Sequence, residues 1–156
     1  MKTLYIDMDG VLADFGKAIK DHPLRVNSPF DTDPDLIPDI FKDLDLMPGA
    51  YDAVCTLIDS RKFDVYILTT APWENPGAWM HKRLWIEDKF GDRFEKRIII
   101  THHKDQLIGD YLIDDRTARG AGNFKGEHIH FGVDYETGKD NKYPTWSNVL
   151  EYLLPE

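Results

Sequence analysis

The run LYIDMDGVL near the start of the chain places two carboxylates, Asp7 and Asp9, directly after an apolar stretch. Alternate side chains of an extended strand point to the same face, so this pair would lie on one side, roughly 7 Å apart along the chain. Two like charges at that separation repel unless a cation or a shared proton joins them. The pair could therefore bind a metal ion or transfer protons, although an isolated DxD triplet is more often an acidic turn that caps the next helix.

Three more polar signals follow strand-like apolar runs. Thr69 and Thr70 come at the end of the run FDVYIL, Lys104 follows RIII, and Asp114 and Asp115 follow YLI. Ligands of open α/β sheets bind at the carboxyl ends of the strands, which is where all three signals fall. Hydroxyls and free backbone amides suit phosphate oxygens, yet a TT pair alone is usually a cap or turn and a single lysine is usually a surface residue. These three signals indicate a ligand site only when they are taken together.

The elements that must position these residues alternate along the chain. Strand-like runs are predicted at five places, 4–6, 63–68, 97–100, 111–113 and 128–131. Helical patterns with apolar residues at three-to-four spacing are predicted at 49–61, 77–90 and 147–153. This alternation predicts an α/β domain in which a parallel sheet is covered by helices on both faces.

Segment 14–47 has a different character, because it is rich in Pro and Asp and lacks a convincing strand. Its apolar residues are numerous enough for a packed element, and they are Leu36, Ile37, Ile40, Phe41, Leu44 and Leu46. A disordered loop is the alternative, but long insertions in compact domains are often functional lids. We therefore predict a small helical cap at 14–47 over the carboxyl end of the first strand, inserted into a core formed by residues 1–13 and 48–156.

Composition and charge narrow the classes of function. A chain of 156 residues with 42% hydrophobic content suits one globular domain. It has no apolar run long enough for a membrane span and no signal-peptide pattern, which predicts a cytoplasmic protein. The formal charge of −9 argues against binding a nucleic acid polymer, and any phosphate ligand would need a metal ion, a lysine or a helix N-terminus. The lone Cys55 is predicted to be a buried small hydrophobe.

Two pairs of histidines are candidate metal ligands. His128 and His130 alternate along one strand and share a face, while His102 and His103 are adjacent. Neither pair has a cysteine or carboxylate at a recognisable zinc spacing, so surface or packing roles are predicted. The glycines of segment 119–122 do not form a dinucleotide fingerprint, because the third glycine and the preceding strand are missing.

Taken together, the polar residues at the strand ends resemble, in order and placement, the four motifs of the haloacid dehalogenase (HAD) superfamily of phosphohydrolases; they are Asp7, Asp9, Thr69, Lys104 and Asp114. More narrowly, DMDGVLADF, PGAYDAV, ILTT and RIIITHHKDQLIGDYLIDDR resemble the 5′(3′)-deoxyribonucleotidase family over nearly the whole chain apart from the cap. The resemblance implies a three-layer, Rossmann-like HAD fold and a Mg²⁺-dependent phosphatase of nucleoside monophosphates.

The resemblance also implies separate tasks for the acidic residues. Asp7 would be the nucleophile that forms an aspartyl-phosphate, and Asp9 the general acid to the leaving oxygen and then the general base for water. Mg²⁺ would bind the Asp7 carboxylate, the Asp9 backbone carbonyl and the Asp114 carboxylate. Asp115 would lie nearby and orient a metal-bound water.

The same resemblance implies a phosphate site at the ends of the second and third strands. Thr69 would hold a phosphoryl oxygen, with the hydroxyl and amide of Thr70 beside it. Lys104 would neutralise the phosphate and pair with Asp7.

Two aromatic residues are candidates for the substrate pocket. In the family that the chain resembles, an aromatic at the position of Phe15 helps to line the nucleoside pocket, although a packing role at the hinge of the cap is equally open. The run Ala71-Pro72-Trp73 departs from the family pattern, and we treat Trp73 as a hypothetical stacking surface.

Two other functions stay open at this stage. The first is a HAD phosphatase of another small monoester, such as a sugar phosphate or phosphoglycolate, which a shortened cap would favour. The second is a non-catalytic nucleotide or phosphate sensor, against which the intact pair Asp7 and Asp9 argues. The oligomeric state is not determined by the sequence, and a homodimer is one option.

Overall fold

A five-stranded parallel sheet forms the centre of the computed structural model, which describes residues 1–156. The strands are β1 (Lys2–Ile6), β2 (Phe63–Thr69), β3 (Ile98–Ile100), β4 (Tyr111–Asp114) and β5 (Glu127–His130). Their spatial order is β3-β2-β1-β4-β5, and every neighbouring pair is parallel. Each predicted strand is present, and the predicted α/β fold with a parallel sheet is confirmed.

The register brings the ends of the central strands to one edge. Ile6 of β1 lies opposite Ile67 of β2 and Ile113 of β4. The backbone N–H of Asp7 continues this ladder, donating to the carbonyl of Ile113 at 2.9 Å. The chain runs outwards from β1 to β3 on one side and then returns to β4 on the other, so the order of strands reverses beside β1. Such a reversal opens a crevice at the carboxyl edge, where ligands of this fold class bind.

Four α-helices accompany the sheet: α1 (Phe15–Lys20), α2 (Ala50–Asp59), α3 (Pro76–Phe90) and α4 (Trp146–Leu153). The last three correspond to the predicted helices. Pro76 begins α3 because its missing N–H is not needed in the first turn, and a capping box of Thr145 and Asn148 begins α4. No helix has the length and apolar character that crossing a bilayer requires.

Apolar layers pack on both faces of the sheet. Leu4 and Ile6 of β1 point to one face, where they join buried residues of α2, α3 and α4 in the main core. Tyr5 points to the other face and packs in a smaller cluster with Phe124, which follows the 3₁₀ helix Ala121–Asn123. The sequence predicts helices on both faces, and those on this second face are short 3₁₀ helices with loops, whereas α2, α3 and α4 pack on the first face.

Segment 14–47 contains α1 and the 3₁₀ helices Pro23–Val26 and Pro34–Leu36, with no strand. Four of its predicted apolar residues are buried in the main core, namely Ile37, Ile40, Phe41 and Leu44. Hydrogen bonds attach the segment to α3 and its N-cap. The indole Nε1 of Trp85 donates to the carbonyl of Leu44 at 2.8 Å, and the amide of Asn75 donates to the carbonyl of Asp35 at 3.0 Å.

The buried indole bond predicts a specific stability change. Replacing Trp85 with Phe keeps an aromatic ring but leaves the buried Leu44 carbonyl without its donor, so we expect a loss of about 1–3 kcal/mol in the free energy of unfolding. Chemical denaturation would measure this loss. The control is Trp73→Phe, at a side chain that is 74% exposed, and we expect it to change stability by less than about 0.5 kcal/mol. Equal effects of the two substitutions would contradict the packing described for segment 14–47.

Candidate active site

The turn after β1 carries Asp7 and Asp9 to the carboxyl edge of the sheet. Gly10 closes this turn with φ +79°, in the left-handed region that favours glycine. A Cβ at Gly10 would lie 2.1 Å from Oδ2 of Asp115, so a side chain there would collide with the acidic turn that follows β4. The glycine therefore allows the turns after two neighbouring strands to approach each other closely.

A buried ion network joins three segments that are distant in sequence. Nζ of Lys104 donates to Oδ1 of Asp7 at 2.9 Å and to Oδ2 of Asp114 at 2.6 Å. All three residues are buried, with exposed fractions of 7% or less. Burial lowers the pKa of Lys104, but the charges of Asp7 and Asp114 outweigh this effect and raise it, so the ammonium stays charged.

A cluster of three carboxylates lies around this lysine. One oxygen from each of Asp7, Asp114 and Asp115 can be chosen so that all three lie within 4.8 Å of one another. Burial raises the pKa of both Asp114 and Asp115, and the negative charge of Asp7 raises each further. Lys104 is the one ammonium bonded to these three carboxyl groups, and it contacts Asp7 and Asp114 but not Asp115. Hard oxygen ligands of this kind fit Mg²⁺.

The Asp9 carboxylate is held separately, by a lysine of α3. Nζ of Lys82 donates to Oδ2 of Asp9 at 2.7 Å and to Oγ1 of Thr69 at 3.0 Å, and it lies 4.7 Å from the centroid of the Phe41 ring. Lys82 is completely buried. Oδ1 of Asp9 is shielded from solvent and has no hydrogen-bond partner. Burial raises the pKa of Asp9, and the charge of Lys82 opposes this increase without cancelling it.

Lys82 is absent from the site residues predicted from the sequence, because the pattern at 77–90 predicts only a helix with apolar spacing. A signal was present in the spacing. Ala78, Trp85 and Ile86 are buried, and Lys82 lies four residues from the first and the last of them, on the same helical face. A charged residue within an apolar stripe is almost never buried without a partner, so this position could have been identified as one that pairs with an acid.

The two threonines at the end of β2 point to different partners. Thr69 is buried and its hydroxyl accepts from Lys82, whereas the hydroxyl of Thr70 donates to the carbonyl of Thr101 at 2.7 Å. Thr70 borders the cavity described next, and Thr69 does not. A direct phosphate contact by either hydroxyl therefore stays a prediction.

A cavity of about 510 Å³ lies above the carboxyl edge, between the acidic turns and segment 14–47. Phe15 borders it and also stacks on Phe41, with ring centroids 5.2 Å apart and planes 7° apart. Both roles considered for Phe15, pocket wall and packing residue, thus coincide in this arrangement. Trp73 does not border the cavity; its ring packs edge-on against Trp79, and its role as a stacking surface stays a hypothesis.

The carboxylate cluster predicts a stability response to divalent cations. With EDTA present, we expect Asp115→Asn to raise the melting temperature by about 2–4 °C, because it removes the carboxylate that Lys104 does not balance. Addition of MgCl₂ should raise the melting temperature of the unmodified protein and should raise that of the variant less. Thermal denaturation followed by circular dichroism would measure both shifts.

The matched control for this experiment is Asp43→Asn, which changes an exposed carboxylate with no hydrogen-bond partner. Its response to MgCl₂ should equal that of the unmodified protein. A response of Asp115→Asn that is as large as the control's would show that this cluster is not where the cation acts.

The chain is similar to known proteins in both sequence and fold. Residues 35–154 match the family model described as 5′ nucleotidase, deoxy (Pyrimidine), cytosolic type C protein. A provisionally named 5′(3′)-deoxyribonucleotidase of Vibrio phage KVP40 is 46% identical over 98% of this chain and 85% of its own length. The human 5′(3′)-deoxyribonucleotidase, cytosolic type, is 33% identical over 81% of this chain and 77% of its own length.

Solved structures support the fold assignment. The provisionally named HAD hydrolase YfnB of Bacillus subtilis, crystallised with magnesium, superposes with a TM-score of 0.59 at 14% identity, covering 97% of this chain and 98% of that one. A HAD-like hydrolase from Xanthomonas campestris gives a TM-score of 0.52 at 12% identity, covering 99% of this chain and 96% of that one. At these identities the likeness concerns the fold alone.

Proposed function

The chain belongs to the 5′(3′)-deoxyribonucleotidase family of HAD hydrolases and is a phosphoric monoester hydrolase, and we propose that it is a Mg²⁺-dependent phosphatase of nucleoside monophosphates that works through an aspartyl-phosphate on Asp7. The observation that carries this proposal is the ion network of Lys104 with Asp7 and Asp114 at the base of the cavity. Deoxyribonucleotides are the favoured substrates, because the related human protein is named a deoxyribonucleotidase and the matching family model is described as 5′ nucleotidase, deoxy (Pyrimidine).

Asp7 is the proposed nucleophile because its carboxylate borders the cavity and is fixed on one side only. Lys104 bonds its Oδ1, while Oδ2 has no hydrogen bond and is available to attack phosphorus. Attack by an anion on an anionic phosphate requires nearby positive charge, which the buried ammonium of Lys104 supplies. The same ammonium would contact a phosphoryl oxygen.

The residues that would hold Mg²⁺ are the carboxylates of Asp7 and Asp114 and the backbone carbonyl of Asp9, with Asp115 beside them. The carbonyl of Asp9 accepts no hydrogen bond, so it is free to act as a ligand. When bound, the cation supplies positive charge that reduces repulsion between the phosphate and the acidic cluster.

Asp9 is the proposed proton carrier. Burial raises its pKa, which favours the protonated form needed to donate to the leaving oxygen as the P–O bond breaks and the Asp7–phosphorus bond forms. In the second step Asp9 takes a proton from water, the resulting hydroxide attacks phosphorus, and Asp7 and inorganic phosphate are released. Because Lys82 holds Oδ2, the unpartnered Oδ1 is the atom that would carry the proton.

Lys82 is proposed as a positioning residue. It ties Asp9 to Thr69, so that the proton carrier and the end of β2 keep a constant separation. The ring of Phe41 covers its ammonium, which limits access of water to this side of the site.

Segment 14–47 is the proposed cap on a core formed by residues 1–13 and 48–156. It contributes Phe15 and Phe41 to the wall of the cavity, as an apolar surface for the nucleoside. A volume of about 510 Å³ lies within the usual range for small-molecule sites. Since the human relative is named a cytosolic type, we also propose that this enzyme acts in the cytoplasm.

The test is a panel of phosphate esters assayed with MgCl₂ and again with EDTA. It contains dUMP, dTMP, UMP, 3′-monophosphates, phosphoglycolate and p-nitrophenyl phosphate. We expect the deoxynucleoside monophosphates to have the highest kcat/KM and EDTA to abolish turnover. Activity that survives EDTA would contradict the cation requirement, and a preference for phosphoglycolate would contradict the nucleotide assignment.

The role of Lys82 predicts an asymmetric kinetic effect. Lys82→Met keeps a long side chain but removes the charge that orients Asp9, so we expect kcat to fall by about 10²-fold with a smaller change in KM. The matched control is Arg83→Met, one residue along α3, where the side chain is exposed and pairs only with Glu87. Steady-state kinetics on dUMP would measure both. Unchanged kcat in a folded Lys82→Met protein would contradict the positioning role.

A further inference from the structure

We propose that His130, assisted by His128, is a positioning residue that holds the backbone of the Asp114–Asp115 turn in the orientation needed for cation binding. This inference rests on the proposed function, because it concerns the same acidic cluster. It assigns a task to two histidines that the sequence pattern left as surface or packing residues.

The two imidazoles lie side by side on β5 and face the turn after β4. Their side chains share one face of the strand, and their ring centroids are 5.0 Å apart. Nε2 of His128 lies 3.0 Å from the backbone oxygen of Asp114, and Nε2 of His130 lies 3.2 Å from that of Asp115. A carbonyl oxygen can only accept a hydrogen bond, so both rings donate through Nε2–H.

The two carbonyls differ in how much they depend on these rings. The carbonyl of Asp114 still belongs to the sheet and also accepts from the backbone N–H of Phe131 at 3.0 Å. The carbonyl of Asp115 lies beyond the last residue of β4, and no backbone group donates to it. The ring of His130 is therefore its only donor in the protein.

Electrostatic repulsion between neighbouring carboxylates favours opening of this turn. The carboxylates of Asp114 and Asp115 face that of Asp7 across less than 5 Å, and Lys104 bonds only one of the two turn residues. Rotation of the 115 peptide would relieve the repulsion and carry the Asp115 carboxylate away from the cluster. A donor fixed to the neighbouring strand opposes this rotation, and partners that orient metal ligands typically change metal affinity by 10–100-fold.

The experiment compares His130→Leu with His130→Gln and uses MgCl₂ as the only ligand. The Nε2 of glutamine can take the place of the imidazole Nε2–H, whereas leucine has no donor. Isothermal titration and the Mg²⁺-induced rise in melting temperature report binding without any phosphatase assay. We expect His130→Leu to weaken Mg²⁺ binding by about tenfold and His130→Gln to restore it to within about threefold of the unmodified protein.

His128→Leu is the matched control, since it removes the same kind of donor from a carbonyl that keeps its sheet partner. We expect it to weaken Mg²⁺ binding less than His130→Leu does. If His130→Leu does not fold, His130→Ala provides the same comparison with a smaller side chain. Unchanged Mg²⁺ affinity in a folded His130→Leu or His130→Ala protein would overturn this inference, even if that variant were less stable. An unmodified protein that does not bind Mg²⁺ would instead contradict the proposed function.

Discussion

The structure depends on one ammonium group, Nζ of Lys104, placed among buried carboxylates from two strand ends. Without it, Asp7 and Asp114 would be like charges shielded from water, and removing one partner of such a buried pair typically costs about 3–5 kcal/mol. The charge also determines where the connecting segments can lie. The side chain of Lys104 can reach both Asp7 and Asp114 only if β1 and β4 end at the same level and the loop after β3 returns over the sheet.

A second lysine makes the two aspartates of the first turn chemically different. Asp7 shares Lys104 with Asp114, and the ammonium bonds only Oδ1 of Asp7. Asp9 has Lys82 on one oxygen only, and burial raises its pKa, which favours a carboxyl group that can donate a proton. Two aspartates that lie two positions apart in the sequence thus have different lysine partners, and we assign them different roles in the proposed reaction.

Much of the fold followed from the sequence, because strand-like apolar runs and helical spacing are local properties. The positions of Asp7, Lys104 and Asp114 could be anticipated for the same reason, since parallel strands end at a common edge. The partners of these residues could not. Lys82 bonds Asp9, which lies 73 positions away in the sequence. His130 reaches the Asp115 carbonyl only when β5 has paired with β4. Such contacts depend on the directions of side chains in the assembled domain, which no local sequence pattern encodes. The same limit applies to Trp73, because its position relative to the cavity depends on the conformation of the loop between β2 and α3.

The place of β1 in the sheet has a consequence for biosynthesis. The central strand β1 precedes both of its neighbours in the sequence; it pairs with β2 on one side and with β4, more than a hundred residues later, on the other. In the nascent chain this apolar segment, which is followed by two acids, therefore lacks one of its two neighbours until β4 has been made. A ribosome-bound chain that ends between Lys104 and β4 has the ammonium and Asp7 but not Asp114, so synthesis of β4 completes both the pairing of β1 and the buried ion network.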